Sequence, residues 1–135
     1  MADDLLLELV TPEKLVVSSP VEEVTIPGTE GEFGVLRGHA SLLSSIEIGE
    51  LSYTREGKRN YYAVETGYAE ILSSKVTVLV ESAEHPNDID RDWVTKTKDD
   101  LEAKLAKMSK EDPAYEQMRK ALSLAELKLR VAEKG

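Results

Sequence analysis

The sequence VTVLVESAEHPNDIDRDW at residues 76–93 changes its hydrophobic period at Pro86. Before the proline, apolar and other residues alternate, which is typical of a β-strand with one buried face. The alternating residues expected in the core are Val76, Val78 and Val80. After the proline the apolar residues recur at helical spacing. The chain is therefore predicted to divide into a β domain, residues 1–85, and a helical domain, residues 86–135.

Upstream of this boundary, short apolar runs are separated by turn signals. Strands are predicted over Leu5–Val10, Leu15–Ser18, Val21–Ile26, Gly49–Thr54, Asn60–Glu65, Tyr68–Leu72 and Val76–Glu81. Hairpin turns are predicted at Glu56–Lys58, where Gly57 accepts a positive φ, and at Ser73–Ser74. Short strands at such regular spacing predict an all-β sandwich or barrel.

Two amphipathic helices are predicted after Pro86. Asn87 or Asp88 is the expected N-cap of the first helix, and acidic residues follow where the helix dipole favours them. The first apolar stripe is Ile89, Trp93, Leu101, Leu105 and Met108, and the second is Met118, Leu122, Ala125, Leu129 and Ala132. The second helix begins either with a capping box, Ser109 with Asp112, or with Asp112 as N-cap before Pro113.

The short connection makes the two helices antiparallel neighbours. The predicted fold class is thus all-β plus α, an N-terminal β-sandwich followed by a C-terminal antiparallel two-helix hairpin. Leu124 and Val131 lie off the second stripe. This extra apolar surface predicts a further docking surface, either on the sandwich or on another protein.

The charge of the chain is concentrated in the β domain. Residues 1–85 hold 15 acidic and 6 basic residues, whereas residues 86–135 hold 11 of each. An acidic domain repels phosphate backbones, so nucleic acid is not an expected partner. The opening residues Met1–Asp4 lack the basic start of a secretory signal, and no apolar run approaches the roughly 20 residues that span a bilayer. Contact with a membrane is expected only through a protein partner.

Motifs for catalysis or metal binding do not occur in the sequence. HExxH, GxSxG and GxGxxG are missing, and Gly57-Lys58 lacks the remainder of a phosphate-binding loop. The chain has no cysteine, and His39 and His85 stand apart without a cluster of ligands around either. We therefore expect no enzyme activity, no metal site and no cofactor.

Four glycines punctuate residues 28–38. A phosphate cradle is not expected there, because Glu30 and Glu32 carry the wrong charge. Two interpretations remain. The segment is either a structural corner of the sandwich or a rigid protein-binding loop that presents Glu32, Phe33, Arg37 and His39.

The same segment carries a family resemblance. GEFGVLRGHA at residues 31–40, followed by Ser41-Leu42-Leu43, resembles the signature loop of the epsilon subunit of bacterial F-type ATP synthases. Other segments resemble that family in the same order along the chain, namely Leu9–Pro12, Gly67–Glu70, Val76–Leu79 and Asp88–Asp90. Arg37 and Ser41 stand where the family usually has prolines, and Thr66 replaces a common glycine.

The resemblance implies a non-catalytic rotor subunit that couples proton translocation to ATP synthesis. Its implied partners are the gamma subunit and the ring of c subunits, and its implied place is the cytoplasmic face of the bacterial cell membrane, held there by the complex. By motif position, the residues facing the c-ring are Glu32, Phe33, Arg37 and His39. The residues towards gamma are Leu42, Leu43 and Ser44.

The resemblance also implies that the helical hairpin inhibits ATP hydrolysis. In the family it lies on the sandwich or extends along gamma. When it is extended, the basic residues Arg119, Lys120, Lys128 and Arg130 would meet acidic loops of the beta (and alpha) subunits. The alternative interpretation is that these bases have no partner role and only keep an exposed helix soluble.

An alternative function is an ATP sensor that holds the nucleotide between the hairpin helices. Some family members use an I/L-D-x-x-R-A motif for this purpose. Ile89 and Asp90 match that motif, but Trp93 and Val94 replace its arginine and alanine, so nucleotide binding is expected to be weak.

Overall fold

The computed structural model describes residues 4–135, so Met1–Asp3 of the predicted β domain lie outside the described residues. The strands are β1 (Leu5–Val10), β2 (Leu15–Val21), β3 (Glu23–Gly28), β4 (Gly31–Val35), β5 (Leu42–Ile46), β6 (Gly49–Arg55), β7 (Lys58–Val64), β8 (Gly67–Ile71), β9 (Lys75–Val80) and β10 (Ala83–Glu84). A 3₁₀ turn, Pro86–Asp88, then leads to helices α1 (Arg91–Ala106) and α2 (Tyr115–Ala132). The predicted order, strands first and a helix pair second, is confirmed.

All ten strands belong to one hydrogen-bonded sheet. Its order is β10-β7-β6-β3-β5-β8-β9-β1-β2, with β4 paired to β3. The pairs are antiparallel except β1 with β9, which run parallel. Leu7 of β1, Leu51 of β6 and Ile71 of β8 are completely buried in the same core. The sheet therefore doubles over on itself, and the predicted β-sandwich is confirmed.

The strands differ from the prediction around the glycine-rich segment. β4 and β5 were not predicted. In β4, two glycines and mostly exposed residues hide the alternation of buried and exposed side chains that marks a strand. The predicted strand Val21–Ile26 is interrupted at Glu22, where β2 ends and β3 begins.

Gly67 is needed at the start of β8, since a Cβ there would lie 1.9 Å from the carbonyl oxygen of Leu79.

The predicted helix starts were wrong in detail. Asn87 and Asp88 belong to the 3₁₀ turn, and Asp90 caps α1 by accepting a hydrogen bond of 3.1 Å from the Trp93 N–H. Pro86 favours the early turn, because its fixed φ suits the first helical position. In α2 the N-cap position is Ala114, without a side-chain cap.

Both alternatives for the start of α2 were therefore wrong. The predicted capping residues stabilise the connection instead of the helix. The Asp112 carboxylate accepts from the Ala114 N–H at 2.9 Å, and the Ser109 hydroxyl accepts from the Glu111 N–H at 3.2 Å.

The predicted stripe of α1 was wrong at Trp93, whose side chain is 65% exposed. Val94 is the buried residue of this helix. Neighbouring residues on a helix point about 100° apart, so turning Val94 inward places Trp93 on the flank. Ile89 is buried as predicted, but it precedes α1. Leu101, Leu105 and Met108 are only half-buried.

The hairpin packs on the sandwich through a second, smaller apolar cluster. Leu127 and Val131 of α2 meet Ala63 of β7, together with Ile89 and Val94. Leu124 packs against the same cluster. Leu124 and Val131, which lie off the predicted stripe of α2, thus pack towards the sandwich. The sandwich was one of the two partners predicted for this surface, the other being a second protein.

Candidate functional site

The glycine-rich segment forms a tight hairpin of β3 and β4. Ile26 pairs with Phe33, and Gly28 pairs with Gly31 at the tip. Gly31 has a φ of 128°, which favours glycine. The Phe33 ring covers Gly28 so closely that a Cβ there would lie 2.9 Å from the ring. Glycines at the tip therefore allow an aromatic side chain to fold over the backbone.

A cleft of about 500 Å³ opens between this hairpin and β5. Glu32 and Phe33 line one side, and Leu42, Leu43 and Ser44 line the other. Leu43 is 71% exposed. The structure thus brings together part of the predicted c-ring set with all of the predicted gamma set in one concave surface, which we call the hairpin cleft.

Arg37 and His39, the other two residues of the predicted c-ring set, do not line the hairpin cleft. They lie in the turn after β4, where the Gly38 N–H donates a hydrogen bond of 2.6 Å to the Ser73 carbonyl. The Arg37 guanidinium donates to the Asp4 carbonyl at 3.4 Å. The four predicted residues therefore occupy two places on the surface, the cleft and this turn.

An apolar row crosses the outer face of the sandwich, and the sequence prediction missed it. The row follows cross-strand neighbours through β8, β9, β1 and β2: Tyr68, Leu79, Val10 and Leu15. All but the half-buried Val10 are exposed, Leu79 at 53%. Leu79 breaks the alternation of residues 76–80, and this apolar residue at an outward position was the available signal.

Ion pairs hold α2 to the sandwich beside the apolar cluster. The Lys128 ammonium lies 2.7 Å from the Glu84 carboxylate, and the Lys134 ammonium lies 2.8 Å from that of Glu50. Lys134 also sits 4.7 Å above the centre of the Tyr61 ring. The hydrogen bond with Glu50 raises the pKa of Lys134 above its usual range.

The start of α1 is tied to the end of α2. The Arg91 guanidinium donates a hydrogen bond of 2.6 Å to the Ala132 carbonyl, one of the carbonyls that a helix end leaves unpaired. At the junction with the sandwich, His85 accepts from the Asn87 N–H at 3.1 Å and packs edge-on against Tyr62. The start of α1 and the end of α2 are thus held together, next to the junction with the sandwich.

The four predicted regulatory bases are in different environments. Lys128 is committed to Glu84, whereas Arg119 pairs within its own helix with Glu116 at 3.3 Å. Arg119, Lys120 and Arg130 line a groove between α2 and the sandwich. Three of the four bases therefore share one surface.

A second groove, of about 330 Å³, lies between α1 and α2. Asp90 and Trp93 line it, whereas Ile89 is buried in the cluster below. Asp88 adds further negative charge, whereas the charge of Glu84 is balanced by its ion pair with Lys128 of the same lining. Such a lining repels a triphosphate, so the geometry does not favour the nucleotide-sensor alternative.

Within residues 4–135, no group of three or more His, Cys, Asp or Glu side chains is placed to hold a metal ion. No helix in the same range is both long enough and apolar enough to cross a bilayer.

Comparison with known proteins identifies similar chains over the full length. Residues 4–86 match the beta-sandwich domain of the ATP synthase delta/epsilon chain family. The chain is 44% identical over 135 residues to the ATP synthase epsilon chain of Geotalea uraniireducens (strain Rf4), covering 100% of this chain and 98% of that protein. It is 47% identical over 131 residues to that of Nitratidesulfovibrio vulgaris (strain DP4), with 97% of each covered.

Solved structures show the same architecture. A chain of the Euglena gracilis mitochondrial ATP synthase, in a cryo-EM structure of OSCP/F1/c-ring, superimposes with a TM-score of 0.83 at 27% identity, covering 97% of this chain and 82% of that one. A chain of the Tetrahymena thermophila mitochondrial ATP synthase central stalk and c-ring superimposes with a TM-score of 0.59 at 13% identity, covering 95% and 96%. The second similarity shows the fold alone.

Proposed function

Because the chain belongs to the ATP synthase delta/epsilon family, we propose that it is a non-catalytic rotor subunit that couples proton translocation to ATP synthesis. The sandwich is the coupling element in this proposal, and the helical hairpin regulates ATP hydrolysis. The proposed division into domains lies at residues 85 and 86. It is supported by the larger apolar core, whose described residues all precede residue 86.

The hairpin cleft is the proposed contact with the rotor. Leu42, Leu43 and Ser44 would meet the gamma subunit, while Glu32 and Phe33 would meet the c-ring beside it. The exposed leucine in a concave surface is the observation that carries this proposal, because such a side chain loses contact with water when a partner covers it. Arg37 and His39 would extend the c-ring contact towards the turn after β4.

The apolar row of Tyr68, Leu79, Val10 and Leu15 would enlarge the same interface. It begins beside β5, since Tyr68 pairs with Ser45 there. A monomeric protein rarely exposes a contiguous apolar row of this kind, so a partner in the complex is its proposed cover. The cell membrane would then be reached at its cytoplasmic face, through the complex only.

Release of the hairpin is the proposed regulatory step. The docked hairpin contacts the sandwich through the second apolar cluster and two ion pairs, and Lys128 would exchange Glu84 for acidic residues of the beta or alpha subunits on extension. Arg119, Lys120 and Arg130 would join it. A switch of this kind needs two packings of similar free energy. The docked hairpin is held by an apolar cluster smaller than that of the sandwich and by two ion pairs, which supports the proposal.

The experiment is reconstitution with the remaining ATP synthase subunits. Glu32→Lys is expected to weaken co-purification with the rotor, whereas Glu56→Lys, an equally exposed acid on the β6–β7 turn, is the matched control. Ending the chain at His85 is expected to leave rotor binding intact and to raise ATP hydrolysis. Rotor binding unaffected by Glu32→Lys contradicts the cleft contact, and unchanged hydrolysis contradicts the regulatory role.

A further inference from the structure

The groove between α1 and α2 has an apolar wall and an unusual rim. Leu101 of α1 and Leu124 of α2 line it, with Ala121 and Ala125 between them. Trp93, the single tryptophan of the chain, stands beside the groove with 65% of its side chain exposed. An exposed tryptophan gives up the stabilisation that burying its large apolar surface would provide. Tryptophan is also enriched among the residues that anchor partner proteins.

The charge of the groove is one-sided. Glu84, Asp88 and Asp90 stand at the end near the sandwich. Lys128 is the one base among the described residues that line the groove, and it is already paired with Glu84. Negative charge is therefore in excess at this end, beside an apolar surface.

We propose that this interhelical groove binds a basic amphipathic helix of a partner protein. Two packed helices leave a groove between their side-chain ridges, and the apolar face of a third helix fills such a groove. Its apolar side chains lie against Leu101, Leu124 and Trp93. Its Lys or Arg side chains lie beside Asp88 and Asp90. The proposal does not depend on the rotor function, because the groove shares no lining residue with the hairpin cleft.

The charge excess selects this occupant over the alternatives. An acidic helix would fit the apolar wall equally well, but it would place like charges beside Asp88 and Asp90. A nucleotide is opposed by the same two carboxylates. A small cation would leave the wall of Leu101 and Leu124 uncovered.

The test uses the full chain and two synthetic helical peptides of equal length. One peptide carries leucines on one face and arginines on the other, and the second replaces every arginine with glutamate. Trp93 reports binding without a label, because it is the only tryptophan. We expect a saturable blue shift of its fluorescence with the arginine peptide, weakened by added salt, and no shift with the glutamate peptide or with ATP.

Variants locate the binding site. Asp88→Asn with Asp90→Asn is expected to weaken binding about tenfold, as two partly exposed charge pairs are lost. Asparagine at position 90 retains the capping ability of the native residue, so α1 keeps its start. The matched control is Glu13→Gln with Glu56→Gln, two exposed acids on strand turns, which changes the net charge by the same amount.

Four outcomes overturn the proposal. They are no binding of either peptide, equal binding of both peptides, equal weakening by the groove and control variants, and a Trp93 shift that only ATP produces. Trp93→Ala, followed by calorimetry in place of fluorescence, is expected to reduce the affinity for the arginine peptide at least fivefold. An unchanged affinity in that variant contradicts the role of the tryptophan as an anchor.

Discussion

The sandwich and the helical hairpin bury their side chains to different degrees. Leu7, Leu51 and Ile71 of the sandwich are completely buried. In α1, by contrast, Val94 is the one buried residue, and Leu101 on the face towards α2 remains half exposed. The sandwich is closed by contacts among its own strands, whereas the hairpin depends on the sandwich and on ion pairs at its surface.

The difference in burial between the two regions bears on which of them is the less stable. A region that opens and closes must belong to the less stable part of a structure, with few buried apolar contacts. The hairpin meets that description and the sandwich does not. The following experiments either compare the stability of the two regions or remove a contact that joins them.

The largest expected effect is a cavity in the sandwich. Leu51→Ala removes a completely buried side chain and is expected to lower the free energy of unfolding by about 3 kcal/mol. Leu101→Ala, the same substitution in the hairpin, is expected to cost about 1 kcal/mol, because the site is already half exposed. Urea denaturation followed by circular dichroism measures both. Equal losses would remove the contrast between the two regions.

A smaller effect is expected at alkaline pH, where Tyr62 links the two regions through His85. Burial, followed by the nearby Tyr53, raises the pKa of Tyr62 from 10.0 to about 12. The folded state therefore holds its proton more tightly than the unfolded state. The contribution of Tyr62 to the free energy of unfolding is fully present below pH 10, and it is lost as the pH rises from 10 to 12.

Tyr62→Phe is expected to flatten the fall in stability over that pH range, and Tyr68→Phe, which changes an exposed ring, is the matched control. Thermal melts of the native chain and both variants, from mildly to strongly alkaline pH, measure this fall in stability. A fall that is as steep in the Tyr62→Phe variant as in the native chain would show that Tyr62 does not contribute.

The smallest expected effect is at the ion pair that joins the hairpin to β6. Lys134→Met keeps an unbranched side chain that is one atom shorter and removes the charge from Glu50 and Tyr61. Because the pair is partly exposed, the expected loss is below about 1 kcal/mol. Amide hydrogen exchange measures the loss. We expect faster exchange at Val131 of the hairpin and no change at Leu7 of the sandwich. Lys98→Met, whose partner Glu102 lies within α1, is the control and is expected to leave Val131 unchanged.

The sequence predicted the regular parts of both regions and failed where tertiary contacts select among local alternatives. Strand β9 followed from its alternating valines, and the docking surface of α2 followed from Leu124 and Val131. Strand β4 was missed because its glycines carry no pattern, and its pairing with β3 forms it. For the candidate site, the motif pointed to Glu32 and Leu43, but it could not show that they share a cleft.

The two-part architecture follows from the sequence alone, since the change from period 2 to period 3.6 at Pro86 is a local property of the chain. The sequence also predicted that the hairpin would have apolar surface left for a partner. Three features became visible only in the folded protein: this surface faces the sandwich, Trp93 faces outward, and Tyr68 and Leu79 lie in one apolar row. Which side chains become neighbours depends on strand register and helix rotation, and both are fixed by packing between segments distant in the chain.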